Sequence, residues 1–204
     1  MSSRDEIFAR IKAAAPPPEQ RVALPEYDDE EILSAPHLEG DDLWEIFARN
    51  FAAVNGRTMT SVAALASFLL ERELTTGYCD PAWMSKAGKP LEKAGLLIET
   101  GFDRTRYDDY QFGITRATGA IAESGSLILD DDLTSDRLAA LSPWVHIGIL
   151  NPADLIRTIP EAIARLGDSP NIIWATGPSK TADVEGILIE GVHGPGEEIA
   201  LLLR

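Results

Sequence analysis

A chain of 204 residues with 45% hydrophobic and 25% charged side chains has the material for one packed domain of an ordinary globular kind. Its net charge of -15 repels phosphate backbones at long range, which excludes nucleic acid as an expected ligand. The single cysteine, Cys79, excludes an intrachain disulfide and falls short of the about four thiolates an iron–sulfur cluster takes. No apolar leader or membrane-length run is present, so a reducing cytoplasm is the expected compartment.

In chain order, Ser3-Arg-Asp-Glu6 is a capping-box pattern ahead of Ile7, Phe8 and Ile11, and predicts a short amphipathic helix over 3–14. Ala15-Pro-Pro-Pro18 stops it. Residues 16–39 are Pro-rich and acidic, and read as an extended arm. Ten acidic side chains between 19 and 45 face Arg21 alone, so this stretch supplies nine of the fifteen net negative charges. The acidity is therefore local, as for a solvated linker or a partner face. The organisation expected is a helix and acidic arm over 1–39 and an α/β domain over 40–204, the helix suited to lie on another subunit.

From Asp41 onward, Leu43, Trp44, Phe47, Phe51 and Val54 recur at helical spacing, and Gly56 ends that helix. Thr58-Met-Thr60 reads as a short strand, and Ser61 caps a helix carrying Val62, Leu65, Phe68 and Leu69. Thr76–Cys79 and Leu96–Ile98 read as strands, with a helix start at Asp80-Pro81 between them. Gly113–Gly119, Ala120–Ser126 and Leu127–Leu129 predict two strands with a kink at 123–125, where small residues let backbone pass close to something. Asp130–Asp132 is a turn, 136–141 a short helix and Val145–Leu150 a buried strand. Asn151-Pro152 starts a helix through Arg165. Asn171–Ala175 reads as a buried strand, and Glu198–Leu203 closes the sheet. The alternation of elements predicts an α/β domain with a mostly parallel sheet covered by helices on both faces.

One stretch carries more chemistry than the rest. Gly177-Pro178 cannot continue the strand before it, because Pro lacks an N–H and has a fixed φ. Ser179 and Thr181 then predict caps for a helix carrying Ala182, Val184, Ile187 and Leu188. A strand, a tight turn and a helix start would aim free amides at the sheet edge, where anions settle, and Lys180 would add a full charge. It is not a P-loop, since Ser179 and Trp174 stand where that motif wants glycines. The plainer account is an ordinary capped helix with a solvated lysine.

Taken together, the run from Gly113 to Leu129, with its Ala-Ile-Ala-Glu-Ser-Gly-Ser-Leu segment, the Arg137 to Ile147 stretch with Pro143 followed shortly by His146-Ile147, the Gly-Pro-Ser-Lys-Thr-Ala-Asp-Val-Glu segment from Gly177 and the terminal Gly191-Val-His-Gly-Pro195 resemble the LUD domain family, in its lactate utilization protein C branch. The resemblance is specific over about the last ninety residues and general in layout before them. It implies a Rossmann-like α/β fold akin to sugar-phosphate isomerases and CoA transferases. It also implies a part in converting L-lactate to pyruvate beside a cysteine-rich and an iron–sulfur subunit, the clusters sitting on those partners and no cofactor on this chain. Two departures are Lys180 for a commoner Arg, which keeps charge but loses bidentate recognition, and Ser124 and Ser126 for threonines, which keeps both hydroxyls.

The residues suited to chemistry follow. Glu123, between apolar and small residues, suits a general base acting on an α-hydroxy acid, or a nucleophile as in CoA transfer; a structural carboxylate accepting backbone amides is the rival account. His193 suits an acid/base or anion partner. Ser124, Gly125 and Ser126 suit ligand hydrogen bonding or a turn, and Arg116 a carboxylate or phosphate clamp. Asp183 complements the predicted helix start and Glu185 reads as a surface residue; an acid here is also able to orient a ligand hydroxyl, or a metal with help from His193. His146 reads as a satisfied core histidine, Arg137 as a partner of the aspartates at 130–132, and Cys79 as packing; no metal site is expected. The ligand expected at Gly177–Thr181 is a small anion: lactate, phosphate or a CoA-like group. A second copy of the chain is a further candidate partner. The alternatives are a non-catalytic assembly subunit docked through its acidic arm, and a stand-alone CoA-transferase-like or sugar-phosphate enzyme.

Overall fold

The computed structural model describes residues 3–17, 20, 38–134, 136–182 and 187–203, and the chain divides into two units, Met1–Ser34 and Ala35–Arg204. In the first, α1 (Ser3–Ala14) has Asp5 and Glu6 in its first turn and Lys12 in its last, each complementing the helix dipole. Ile7, Phe8 and Ile11 are exposed on it. Most of the acidic arm, with His37, lies outside the described residues.

The second unit begins with α2 (Leu43–Ala53), capped by Asp42, whose carboxylate accepts the amides of Trp44 and Glu45 at 2.8 and 3.2 Å. Asn55 leaves it in the left-handed region (φ 69), and the Gly56 amide returns to the Phe51 carbonyl, a glycine-type stop taken by Asn. Next come β1 (Arg57–Met59), α3 (Val62–Glu71) capped by Ser61, β2 (Thr76–Cys79), α4 (Lys89–Lys93) and β3 (Leu97–Glu99). The middle of the chain gives β4 (Phe112–Arg116), β5 (Gly119–Ile121), β6 (Ser126–Asp130), the one-turn α5 (Leu138–Leu141) and β7 (Val145–Leu150). Then follow β8 (Leu155–Ile156), α6 (Ile159–Arg165), β9 (Ile172–Ala175), β10 (Lys180–Ala182), β11 (Leu188–Glu190) and β12 (Glu197–Leu202).

Six strands form one wholly parallel sheet in the order β1-β12-β7-β4-β2-β3. The last strand is thus an inner one, set between β1 and β7. Side chains alternate across it. Phe112, Ile114, Val145, Ile147, Ile149, Ile199 and Leu201 pack with α3 and α4 on one face. On the other face Ala117, Leu150, Ala200 and Leu202 meet Phe47 and Phe51 of α2 and residues of a second, four-stranded sheet, β8-β5-β6-β9. The parallel sheet covered on both faces agrees with the fold expected for a Rossmann-like α/β domain.

Two elements differ from expectation. The helix predicted from Asn151-Pro152 through Arg165 is split into a 3-10 turn at Pro152–Asp154, β8, and α6 starting at Ile159. The cause is Pro160, which fits a first helical turn but would break a helix begun eight residues earlier. The helix predicted after Ser179 is absent: β10 and β11 pair as an antiparallel hairpin, Thr181 opposite Ile189. Likewise β9 belongs to the small sheet, antiparallel to β6, and is only partly buried. The dipole expected at Ser179 to hold an anion is therefore missing.

Candidate functional site

The two glycine-bearing loops singled out in the sequence meet on α2. Gly125 has φ 62, and a Cβ there would sit 2.5 Å from the Phe51 amide nitrogen. Gly177 has φ 74, and a Cβ would come within 2.1 Å of the Val54 carbonyl oxygen. Only glycine permits both the backbone angle and the approach. Because Leu127 faces Ala175 in the β6–β9 register, Ser126 falls beside Thr176. Their hydroxyls are 2.7 Å apart, and Ser124 continues the chain with another 2.7 Å contact to Ser126.

The functional atoms of these loops point apart. Glu123 Oε2 accepts the amide of Ile159 at 2.7 Å, and the Glu123 amide donates to the Arg157 carbonyl. The carboxylate thus serves the first turn of α6, where Thr158 is the N-cap. Lys180 Nζ donates to the Val54 carbonyl at the C-terminal end of α2 (2.9 Å), 3.8 Å from Glu190 Oε1, where the helix dipole favours a cation. The Ser179 amide donates to the Pro195 carbonyl and the Gly191 amide to the Ser179 carbonyl, both at 2.9 Å. Those two amides lace the loops together and are not free for an anion.

A cavity of about 400 Å³ opens under this lacing. Gly177, Pro178, Ser179 and Lys180 line it from one side and His193, exposed on its loop, from another. Its floor is His146 and Glu198, from adjacent strands β7 and β12 and paired in register. Both are buried: His146 Nδ1 is hydrogen-bonded to Glu198 Oε1, and His146 Nε2 lies 2.8 Å from Thr115 Oγ1 on β4. Burial pushes the Glu198 carboxyl above the usual carboxylate range, and the neighbouring imidazole opposes that rise.

Of the residues singled out in the sequence, the cavity gathers Gly177, Pro178, Ser179, Lys180 and His193. Thr181 pairs within the hairpin, and Ser124, Gly125 and Ser126 form the neighbouring turn joined to Thr176 at the rim. Arg116 has an exposed side chain at the end of β4, and its carbonyl accepts the Thr134 hydroxyl. Asp183 and Glu185 lie outside the described residues. Glu198 was read only as part of a closing strand. What marks it is a charged residue on the inward phase of an apolar run, in step with Ala200 and Leu202. Arg137 binds Asp131 at 3.2 Å, and Cys79 is buried in the core, its thiol pushed up to about 12 first by burial and then by the charge of Asp80. Among the described residues no cluster of three or more His, Cys, Asp or Glu could hold a metal, and no helix is long and apolar enough to cross a membrane.

The chain is similar to several curated proteins. A lactate utilization protein C from Deinococcus radiodurans is 33% identical over 87 residues, 40% of this chain and 41% of that protein. Its counterpart from Bacillus licheniformis is 32% identical over 128 residues, 59% of this chain and 52% of its own. The chain therefore spans about two-fifths to one-half of the length of these relatives. An uncharacterized protein of Neisseria meningitidis serogroup B aligns over the whole chain and 94% of itself at 24% identity. Among solved structures, a DUF162 family protein from Deinococcus radiodurans superposes with a TM-score of 0.57 at 16% identity, over 79% of this chain and 96% of the other, which establishes the shared fold. The sequence signature of the LUD domain covers residues 88–203, more than half of the chain, which therefore belongs to the LUD domain family.

Proposed function

We propose that this protein is a cytoplasmic subunit of a lactate utilization system of the protein C kind. It supports oxidation of L-lactate to pyruvate beside cysteine-rich and iron–sulfur subunits, and holds a small carboxylate in the cavity between the Gly177 turn and the His193 loop. The observation carrying this reading is that two of the motif segments, Gly177–Lys180 and His193–Pro195, wall one cavity whose floor is a buried acid–base pair. The naming of the Deinococcus and Bacillus relatives supports the substrate class. A cavity of about 400 Å³ is within the range of small-molecule sites and roomy for lactate alone.

The division of labour follows from redox balance. Taking L-lactate to pyruvate releases two electrons and two protons, and a chain with one cysteine has no protein-borne cluster to receive the electrons. The acceptor then belongs to partner subunits, while this chain binds and orients the acid, with Lys180 and His193 at the rim. The acidic segment around 19–45 is the natural docking face for a partner. Glu123, which sequence alone offered as the base, is assigned to holding α6.

The test is lactate-dependent electron transfer in a complex reconstituted with the iron–sulfur partners. His193→Ala should raise the lactate concentration needed for half-maximal rate by about tenfold, as loss of one charged hydrogen bond worth about 1.5 kcal/mol predicts, and Lys180→Ala by less, because its ammonium is already engaged by the Val54 carbonyl and Glu190. Unchanged dependence on lactate in both variants would favour a non-catalytic assembly role.

A further inference from the structure

The cavity floor, His146 and Glu198, continues behind the cavity to Thr115, a line of three buried polar groups crossing three neighbouring strands. Thr115 Oγ1 meets His146 Nε2 at 2.8 Å, His146 Nδ1 meets Glu198 Oε1, and none of the three is more than 3% exposed. The other carboxyl oxygen, Glu198 Oε2, stands outside that line, and since Trp83 Nε1 is the one fully buried side-chain polar atom without a partner among the described residues, Oε2 is open to a cavity. Glu198 lines the 400 Å³ cavity and also a second one of about 330 Å³ beside Asn55 and Arg57. An oxygen at the wall of a hollow, outside the buried line, is the one placed to meet a ligand's polar group.

The line can take a proton without breaking a hydrogen bond. With a neutral ring and a charged carboxylate, Nδ1–H donates to Oε1 and the Thr115 hydroxyl donates to Nε2; the net charge is -1. An added proton has two places. On Glu198 Oε2 it points to the cavity and can donate to a ligand carboxylate. On His146 Nε2 it donates to Thr115 Oγ1, whose hydroxyl rotates from donor to acceptor. Either way the line becomes neutral.

The surrounding charges do not do this in its place. Lys180 is drawn to the Val54 carbonyl and Glu190, and Arg72 is paired with Glu197 at 3.3 Å. Arg57 lies over the Phe68 ring, and α5 brings only Ala140 and Leu141 to the cavity, leaving His193 as the other titratable group on its wall. A carboxylate entering beside a charged Glu198 would meet repulsion that these cations do not cancel. We propose that the cavity takes up a small carboxylate together with one proton, held by the Thr115–His146–Glu198 line, with Glu198 Oε2 as the atom that meets the ligand. This rests on the reading of the cavity as an anion site.

The experiment is calorimetric titration of the full chain with L-lactate, and in parallel pyruvate, in buffers of different ionisation enthalpy between about pH 7 and 9. About one proton should be taken up per ligand bound, with affinity falling about tenfold per pH unit on the alkaline side. Glu198→Gln should lose both the proton uptake and the pH slope, whereas His193→Gln should weaken binding and keep the proton count. Binding by the unaltered protein without proton exchange, or an unchanged count in Glu198→Gln, would overturn the inference and leave the anion site standing. Should Glu198→Gln not fold, the proton count of the unaltered protein decides. Failure of L-lactate, pyruvate and inorganic phosphate all to bind would overturn the anion site and this inference together.

Discussion

The two faces of the six-stranded sheet come from the same strands and do different work. Toward α3 and α4, Phe112, Ile114, Val145, Ile147, Ile149, Ile199 and Leu201 are uniformly apolar and large. Toward the small sheet, the alternate positions read Gly113 and Thr115 on β4 with Ala117 just past its end, His146, Gly148, Leu150 on β7 and Glu198, Ala200, Leu202 on β12. Small residues there make room, His146 and Glu198 stand in register near the cavity, and Thr115, two residues on from the register position that Gly113 holds, reaches His146 diagonally. One face supplies stability through burial; the other gives up packing for a line of polar groups at a hollow.

Breaking the apolar face should have the largest effect. Ile147→Ala should destabilise the fold by about 2–5 kcal/mol in urea unfolding, from lost burial and the cavity left behind. Lactate affinity per folded molecule should hardly change.

Glu123 tests whether the neighbouring turn is support or site. Glu123→Ala should cost about 1–2 kcal/mol, since the Ile159 amide loses its acceptor. Glu123→Gln keeps an acceptor oxygen and should restore most of that stability, with lactate binding unaltered. A loss of binding in Glu123→Gln would return the carboxylate to the site.

A subtler comparison uses acidity. Burial raises Glu198, so the folded state keeps that proton at pH values where the unfolded chain, with an ordinary value of 4.5, has released it. Its contribution to stability is whole below 4.5 and drains away as pH rises through the folded value. The difference in urea midpoint between the unaltered protein and Glu198→Gln should therefore shrink or reverse over that rise. A difference that grows with pH would mean the carboxyl is lowered in the folded state.

The smallest effect is kinetic. Cys79 lies on the apolar side with its thiol pushed up to about 12, so thiol reagents at pH 8 should be slow on the folded protein and fast in urea.

The inner strands were readable because each is an apolar run bounded by turn residues: Thr76–Cys79, Val145–Leu150 and the last run fall where the pattern places them. The Ser61 cap and the kink at 123–125 were equally open to reading, since each is written in adjacent residues. The hairpin after Gly177 was not. Its ladders are three residues long, too short for a period to register, and Ser and Thr after Gly-Pro also suit a helix cap. His146 was rightly read as buried and satisfied, but its partner lies 52 residues away, a distance no local pattern bridges. The same gap hid that Glu123 and Lys180 sit on adjoining loops with their charged ends turned to α6 and α2.

The most direct measurement is a crystal structure of the protein grown with saturating L-lactate. The account predicts the lactate carboxylate in the cavity, within hydrogen-bond reach of Glu198 Oε2 and flanked by His193 and Lys180. Lactate bound beside Glu123 instead, or a cavity left empty at saturation, would contradict it.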